Sequence, residues 1–179
     1  MMGQRESRKW AAALAVGVLF AFAPPTASAK DVITGKAFVV DAGTLEVAGR
    51  RIHLFGIDAP DRAQTCTTKK GAAYPCGLRA AFALDNLAKG KLVSCAPRGV
   101  DGAMRIMAMC SYNGLDIGGA MIESGWAIAD VRYSDTYLKT EEAAANAGLG
   151  LWQGNFEEPS IWREKKKKAP PKDSAPKPS

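Results

Sequence analysis

From Ile33 to Asp61 the chain reads ITGKAFVVDAGTLEVAGRRIHLFGIDAPD, a succession of short apolar runs separated by very tight turns. Residues Val32 to Val40, Thr44 to Ala48 and Arg51 to Ile57 read as three strands. Asp41-Ala42-Gly43 and Ala48-Gly49-Arg50 supply the turns between them. The spacing then changes. Leu78 to Lys89 predicts a helix, with Ala80, Leu84, Leu87 and Ala88 on one face and Gly90 as its stop. Leu92 to Ala96 and Arg105 to Tyr112 predict a hairpin around a loop from Pro97 to Met104. A short helix from Asp116 to Ser124 is stopped by Gly125, and Ser134 is the expected N-cap of a last helix reaching about Asn146. About five strands and three helices make an α+β, mainly β chain. A five-stranded barrel of the OB type with helices packed on it fits that inventory.

The two ends stand apart from this pattern. Arg5, Arg8 and Lys9 precede an apolar run, Trp10 to Ala23, that is short for a membrane span. Pro24, Pro25 and then Ala27-Ser28-Ala29 follow, so residues 1–29 read as a signal peptide cleaved after Ala29. An uncleaved anchor helix is the alternative. Cleavage implies a periplasmic or secreted protein with no transmembrane segment in its mature form. At the other end, residues 164–179 are rich in Lys, Pro and Ser and lack apolar periodicity, which predicts a disordered tail. These ends dominate the charge. The chain has 24 basic and 18 acidic residues, a net +6. With the +2 of residues 1–29 and the +4 of residues 164–179 removed, residues 30–163 are neutral. Attraction to nucleic acid is therefore expected to reside in the tail rather than in a basic groove.

Cys66, Cys76, Cys95 and Cys110 all fall between the two ends. An even count in an exported chain suggests disulfides, and zinc is disfavoured because no C-x-x-C pair exists and His53 is the only histidine. Of three connectivities, Cys66–Cys76 with Cys95–Cys110 is preferred. The first closes the loop containing Thr67 to Gly71, and the second staples two neighbouring strands. Each closure contributes about 2–4 kcal/mol if unstrained.

The order DAGTL, IHLFGIDAPD, YPCG, DGAMR, GWAIA, YSDTYLKTEE, GLGLW and FEEPSIWR resembles the staphylococcal nuclease, or thermonuclease, family, particularly its exported Gram-negative members. The resemblance covers residues 32–163. It implies an OB-fold barrel whose active members use calcium to hydrolyse DNA and RNA phosphodiesters. A carboxylate activates the attacking water, and metal and arginines stabilise the developing charge. Residue by residue, the resemblance makes Asp58 a metal ligand and the Ala59 carbonyl a second, with Asp41 near the metal. A direct acidic ligand of the family is replaced by Gly43, which has no side-chain oxygen and whose ordinary role in a turn would be to supply positive φ. Asp61 takes the place of the family's general-base glutamate, one methylene short. Arg105 keeps its phosphate-binding position, although the Tyr and Gly of the family's Asp-x-Tyr-Gly-Arg loop have become Ala103 and Met104. His53 replaces the other arginine and lacks its bidentate fork. Tyr133 falls near the nucleotide-stacking tyrosine. Tyr133 and Tyr137 could equally pack the last helix.

Taken together these changes favour a nuclease-fold monomer with a degenerate site and a binding or structural role. The alternative is a working calcium-dependent phosphodiesterase using Asp41, Asp58, Asp61 and Arg105; without activity no cofactor is expected. A third reading is a barrel that binds a protein or polysaccharide of the cell envelope. The leader is directly testable: mass spectrometry of exported protein should find a chain beginning at Lys30, and retention of residues 10–23 would overturn the localisation.

Overall fold

Leu45, Val47, Ile52 and Leu54 are fully buried, and the residues between them face outward or lie at the margin. That period-two pattern is what a strand with one face on a core requires. In a computed structural model, which describes residues 31–169, these positions lie on the second and third of three consecutive antiparallel strands. They are β1 (Ile33–Asp41), β2 (Thr44–Val47) and β3 (Arg50–Leu54). Ala48 and Gly49 both adopt positive φ in the β2–β3 turn, as a two-residue hairpin demands. The expected leader and residues 170–179 lie outside the described residues. No helix among those described is long and apolar enough to cross a membrane.

The third strand ends earlier than its apolar run suggests. Gly56 has φ 76° and a Cβ there would sit 3.2 Å from the Tyr137 ring, so the chain turns beneath that ring. Ile57–Asp58 then forms a separate short strand, β4. Beyond it, β5 (Cys66–Thr68) and β6 (Ala73–Tyr74) form a small hairpin. Helix α1 (Cys76–Ala88) follows, burying Ala80, Ala81, Leu84 and Ala88.

Two long strands complete the barrel, β7 (Leu92–Val100) and β8 (Ile106–Tyr112). The expected loop from Pro97 to Met104 shrinks to residues 101–105, because β7 continues through Pro97. The register shifts between Pro97 and Gly99, so the proline sits at a bulge where no ladder N–H is needed. β7 pairs with both β1 and β8, and β8 pairs in parallel with β3. Strands β1, β2, β3, β8 and β7 thus close into a five-stranded barrel, consistent with the OB-type expectation.

After a short strand β9 (Leu115–Asp116), α2 (Ile117–Glu123) is capped by Asp116, whose carboxylate accepts the Gly118 N–H. The other Asp116 oxygen accepts from the Tyr137 hydroxyl at 2.6 Å. Tyr137 is therefore a packing residue that pins α2 to the last helices. Strand β10 (Ile128–Ala129) pairs with β4. Helix α3 (Leu138–Asn146) begins four residues after the cap expected at Ser134, whose hydroxyl bonds Thr136 instead. A 3₁₀ turn (Gly150–Gln153) leads to β11 (Gly154–Asn155), which pairs with β5.

The inventory ends on a fourth helix, α4 (Pro159–Lys168), against about three expected. Pro159 at its first turn is buried. Residues 164–168, expected to be disordered, belong to this helix. Lys165 to Lys168 fill its last turn, where positive charge is favoured by the negative end of the helix dipole. Four of the six lysines assigned to the tail are thus carried on the folded body, with Glu164 beside them and Glu157 paired with Lys165. Both disulfides have the expected connectivity, Cys66–Cys76 and Cys95–Cys110, the latter between directly paired residues of β7 and β8.

Helix α1 is pressed against the segment that follows β4. A Cβ on Gly77 would lie 1.6 Å from the Asp61 carbonyl oxygen, a backbone atom that cannot swing aside. Gly77→Ala should therefore destabilise the protein by about 3 kcal/mol or more, at or beyond the upper end for overpacking. Urea unfolding would measure this. A loss under about 0.5 kcal/mol, the scale of an ordinary surface change, would mean that α1 and the segment around Asp61 are not in that contact.

Candidate functional site

The turn between β1 and β2 presents Asp41 and Gly43 at one mouth of the barrel. Asp41 Oδ1 accepts the Gly43 N–H at 2.9 Å, so one carboxylate oxygen is spent on holding the turn. Gly43 does not have the positive φ expected of it. Its smallness serves another purpose: a Cβ would stand 3.2 Å from His53 Cε1 and 3.6 Å from the Ala59 methyl. The imidazole occupies the space into which a side chain at 43 would grow. His53 lies opposite Thr44 in the β2–β3 register, with Nδ1 3.3 Å from the Thr44 hydroxyl. Burial, and then the nearby Arg105 charge, hold its pKa below the usual imidazole value despite Asp41, Asp58 and Asp101.

Asp58 is fixed by the pairing of β4 with β10, opposite Ile128. It is 4% exposed. Its Oδ1 accepts from Arg163 Nη2 at 2.6 Å, and Arg163 Nη1 approaches the Ala59 carbonyl at 3.4 Å. The guanidinium thus engages both oxygen groups that the resemblance assigned to a metal. Arg163 comes from α4, the helix that the sequence pattern did not resolve. The only advance sign of it was the Trp162-Arg163 ending of FEEPSIWR.

Arg105 sits at the end of the 101–105 loop. Asp101 Oδ1 accepts both the Ala103 and Arg105 N–H groups, and its Oδ2 accepts Arg105 Nε at 2.6 Å. Burial would raise the Asp101 pKa, but these donors together bring it below the ordinary carboxylate value. Met104 takes φ 59° within the loop. The carboxylate of Asp101 orders this loop through these contacts.

A narrow cavity of about 70 Å³ is lined by Asp41, Gly43, His53, Asp61, Arg105 and Arg163, together with Thr44, Ala59 and Pro60. Its volume accommodates a few waters. A wider cavity of about 370 Å³ adjoins it, sharing His53, Arg105 and Arg163 and adding Asp58, Arg132 and Tyr133. The metal, catalytic and stacking candidates from the sequence are therefore placed around two neighbouring cavities, Asp41 and Asp61 lining the narrow one, Asp58 the wider one and Arg163 both. Tyr133 is partly exposed, 6.4 Å from the Phe55 ring and 5.8 Å from the Arg132 guanidinium. Arg132 was not singled out from sequence. It grips Asp130 through Nε at 2.8 Å and Nη2 at 2.7 Å.

These residues do not suit calcium. The ion takes six to eight oxygen ligands. Gly43 supplies none, one oxygen of Asp41 holds its turn, and one of Asp58 is bound to Arg163. Among the described residues, no three His, Cys, Asp or Glu side chains are grouped to hold a metal ion. What the arrangement can bind is an oxyanion, through guanidinium donors held in place by acids.

The single histidine gives the site a clean probe. Proton NMR should show His53 titrating below 6.5, leaving it neutral at pH 7.5. Because the folded pKa is depressed, the unfolded chain takes up the proton first as pH falls below 6.5. This group therefore lowers stability progressively from there down through its folded pKa. His53→Gln should flatten that part of the stability profile. A titration above 6.5 would contradict the burial.

Comparison with known proteins agrees with the barrel. Residues 51–154 match the family of staphylococcal nuclease homologues. Over 134 residues the chain is 35% identical to the succinoglycan biosynthesis protein ExoI of Rhizobium meliloti, covering 73% of this chain and 70% of that protein. Over 120 residues it is 31% identical to an uncharacterized endonuclease of Haemophilus influenzae, covering 65% of this chain and 62% of that protein. A family match over more than half of the sequence, carried on a closed five-stranded barrel, places this protein in the staphylococcal nuclease family.

Proposed function

We propose that this protein is an exported nuclease-fold domain that binds phosphodiester ligands and in which calcium-dependent hydrolysis is weak or lost. The observation that carries this reading is that, among the described residues, the acidic groups do not converge into a metal-holding set. Two further features support it. Asp61 is one methylene shorter than the family's base, and a misplacement of about an ångström costs on the order of a hundredfold in rate. His53, held neutral, supplies no fixed positive charge beside the reacting phosphate. The domain's role is then recognition of nucleic acid or of an anionic envelope component. The lysines of α4 add long-range attraction.

The name of the Haemophilus relative supports a second reading, an active endonuclease in which Asp41, Asp58, Asp61 and Arg105 form the working set with calcium. The name of the Rhizobium relative links that protein to succinoglycan biosynthesis instead.

Digestion of plasmid and of heat-denatured DNA, with calcium and with chelator, separates these readings. The mature protein with both disulfides formed should give little calcium-dependent cleavage. Gly43→Asp alone should leave cleavage low, since its new side chain competes with His53 for space and base reach is unchanged. Gly43→Asp with His53→Arg and Asp61→Glu should raise calcium-dependent cleavage by more than the product of the separate effects, because these groups act on one transition state. Robust calcium-dependent digestion by the unaltered protein would overturn the proposal.

A further inference from the structure

Three aspartates around the wider cavity share one design. Asp58, Asp101 and Asp130 have side chains only 6–7% exposed, and each is paired with an arginine. The partners Arg163, Arg105 and Arg132 are 34%, 54% and 62% exposed. In each pair the carboxylate is turned into the protein and the guanidinium toward the cavity that all six residues line. The more exposed member of each pair is thus the guanidinium, while Lys167 and Glu164, of opposite charge, complete the charged lining.

We propose that these three aspartate-anchored arginines form a metal-independent site for a phosphodiester, with Arg163 as the resident cation in the place of a divalent ion. The inference rests on the preceding reading, that this chain handles phosphodiesters with little use of calcium, and it names what replaces the metal. A buried carboxylate without a counter-charge is strongly unfavourable, so Asp58 requires a cation. Arg163 provides one that is permanently charged and attached to the chain, and therefore present without any metal. Its planar fork reaches Asp58 Oδ1 and the Ala59 carbonyl together, which leaves further N–H groups to face the two cavities that it lines. Each arginine is held on one side by its aspartate, so little side-chain freedom remains to be lost when a phosphate oxygen arrives. Tyr133, on the rim beside Arg132, offers a face for an unstacked base.

Helix α4 keeps Arg163 in place. The Gln64 side-chain amide donates to the Glu157 carbonyl at 2.7 Å just before the helix, and Pro159 is buried at its start. This gives FEEPSIWR a purpose that the barrel alone does not explain: it ends on the cation of the site.

The test is calorimetry on the full mature protein, using a short single-stranded oligothymidylate in chelator, inorganic phosphate in chelator, and calcium chloride alone. Oligothymidylate should bind in chelator, and Arg163→Gln or Arg132→Gln should each weaken it by about tenfold or more, as expected for loss of a charge-assisted contact. Arg163→Gln should also raise calcium affinity, since Asp58 and the Ala59 carbonyl are released. If Arg163→Gln fails to fold because Asp58 is left unpaired, Asp58→Asn with Arg163→Gln restores neutrality and should fold while still losing the binding in chelator. Competition by inorganic phosphate at similar strength would mean that any phosphoryl oxyanion suffices, whereas its failure to compete assigns the site to the phosphodiester. Binding that vanishes in chelator and returns with calcium, or that is unchanged in these variants, would overturn the proposal. Calcium-dependent DNA cleavage together with arginine-dependent binding in chelator would instead overturn only the reading of lost hydrolysis.

Discussion

The parallel pairing of β3 with β8 turns a twisted sheet into a barrel, and the site depends on that closure. Ile52, His53 and Leu54 lie alongside Ile106, Met107 and Ala108. The β1–β2–β3 meander and the β7–β8 hairpin would otherwise be two separate ribbons with exposed edges. Once they join, Leu45, Val47, Ile52, Val93 and Ala108 share one interior. The end of β3, carrying His53, then comes beside the start of β8, next to Arg105. The electrostatic influence of Arg105 on His53 is a direct result of this long-range register.

On this frame the chain has resolved the problem of buried carboxylates in a consistent way. Each of Asp58, Asp101 and Asp130 lies where the backbone shields it from water, and each has its own guanidinium. Two of the pairings are local: Asp101 and Asp130 also accept backbone N–H groups of the turns they begin. The third joins residues 105 positions apart and attaches α4 to the barrel. Removing one partner of such a pair is far more damaging than the net worth of the pair suggests, because it strands a charge. The Arg163–Asp58 contact is thus a structural clamp at the edge of the cavity.

Much of the fold was legible because its signals are local. Two-residue spacing in the first three strands, a four-residue apolar repeat in α1, and cysteines on facing strands each follow from neighbouring residues. The departures have local causes that only packing reveals. Gly56 turns under Tyr137 and cuts β3 short, a bulge carries β7 through Pro97, and Ser134 bonds Thr136 rather than capping α3. Helix α4 was missed because its second half is four consecutive lysines, which have no apolar periodicity. It is anchored by its first turn and by Arg163, and its last turn follows as a continuation favoured by the helix dipole.

Which side chains are available to the site follows from the order of residues along the chain. That residue 43 has no side-chain oxygen, that residue 61 is an aspartate and that residue 53 is a histidine are facts of composition at fixed positions, and no folding can alter them. The tertiary structure decided how those side chains are used. Gly43 is small because His53 stands against it, rather than because its backbone needs positive φ. Asp58 faces an arginine from the far end of the domain rather than an open cation position. Such pairings depend on which surfaces the closed barrel brings within a few ångströms of one another. That is a property of long-range packing, and it leaves no periodic trace along the chain.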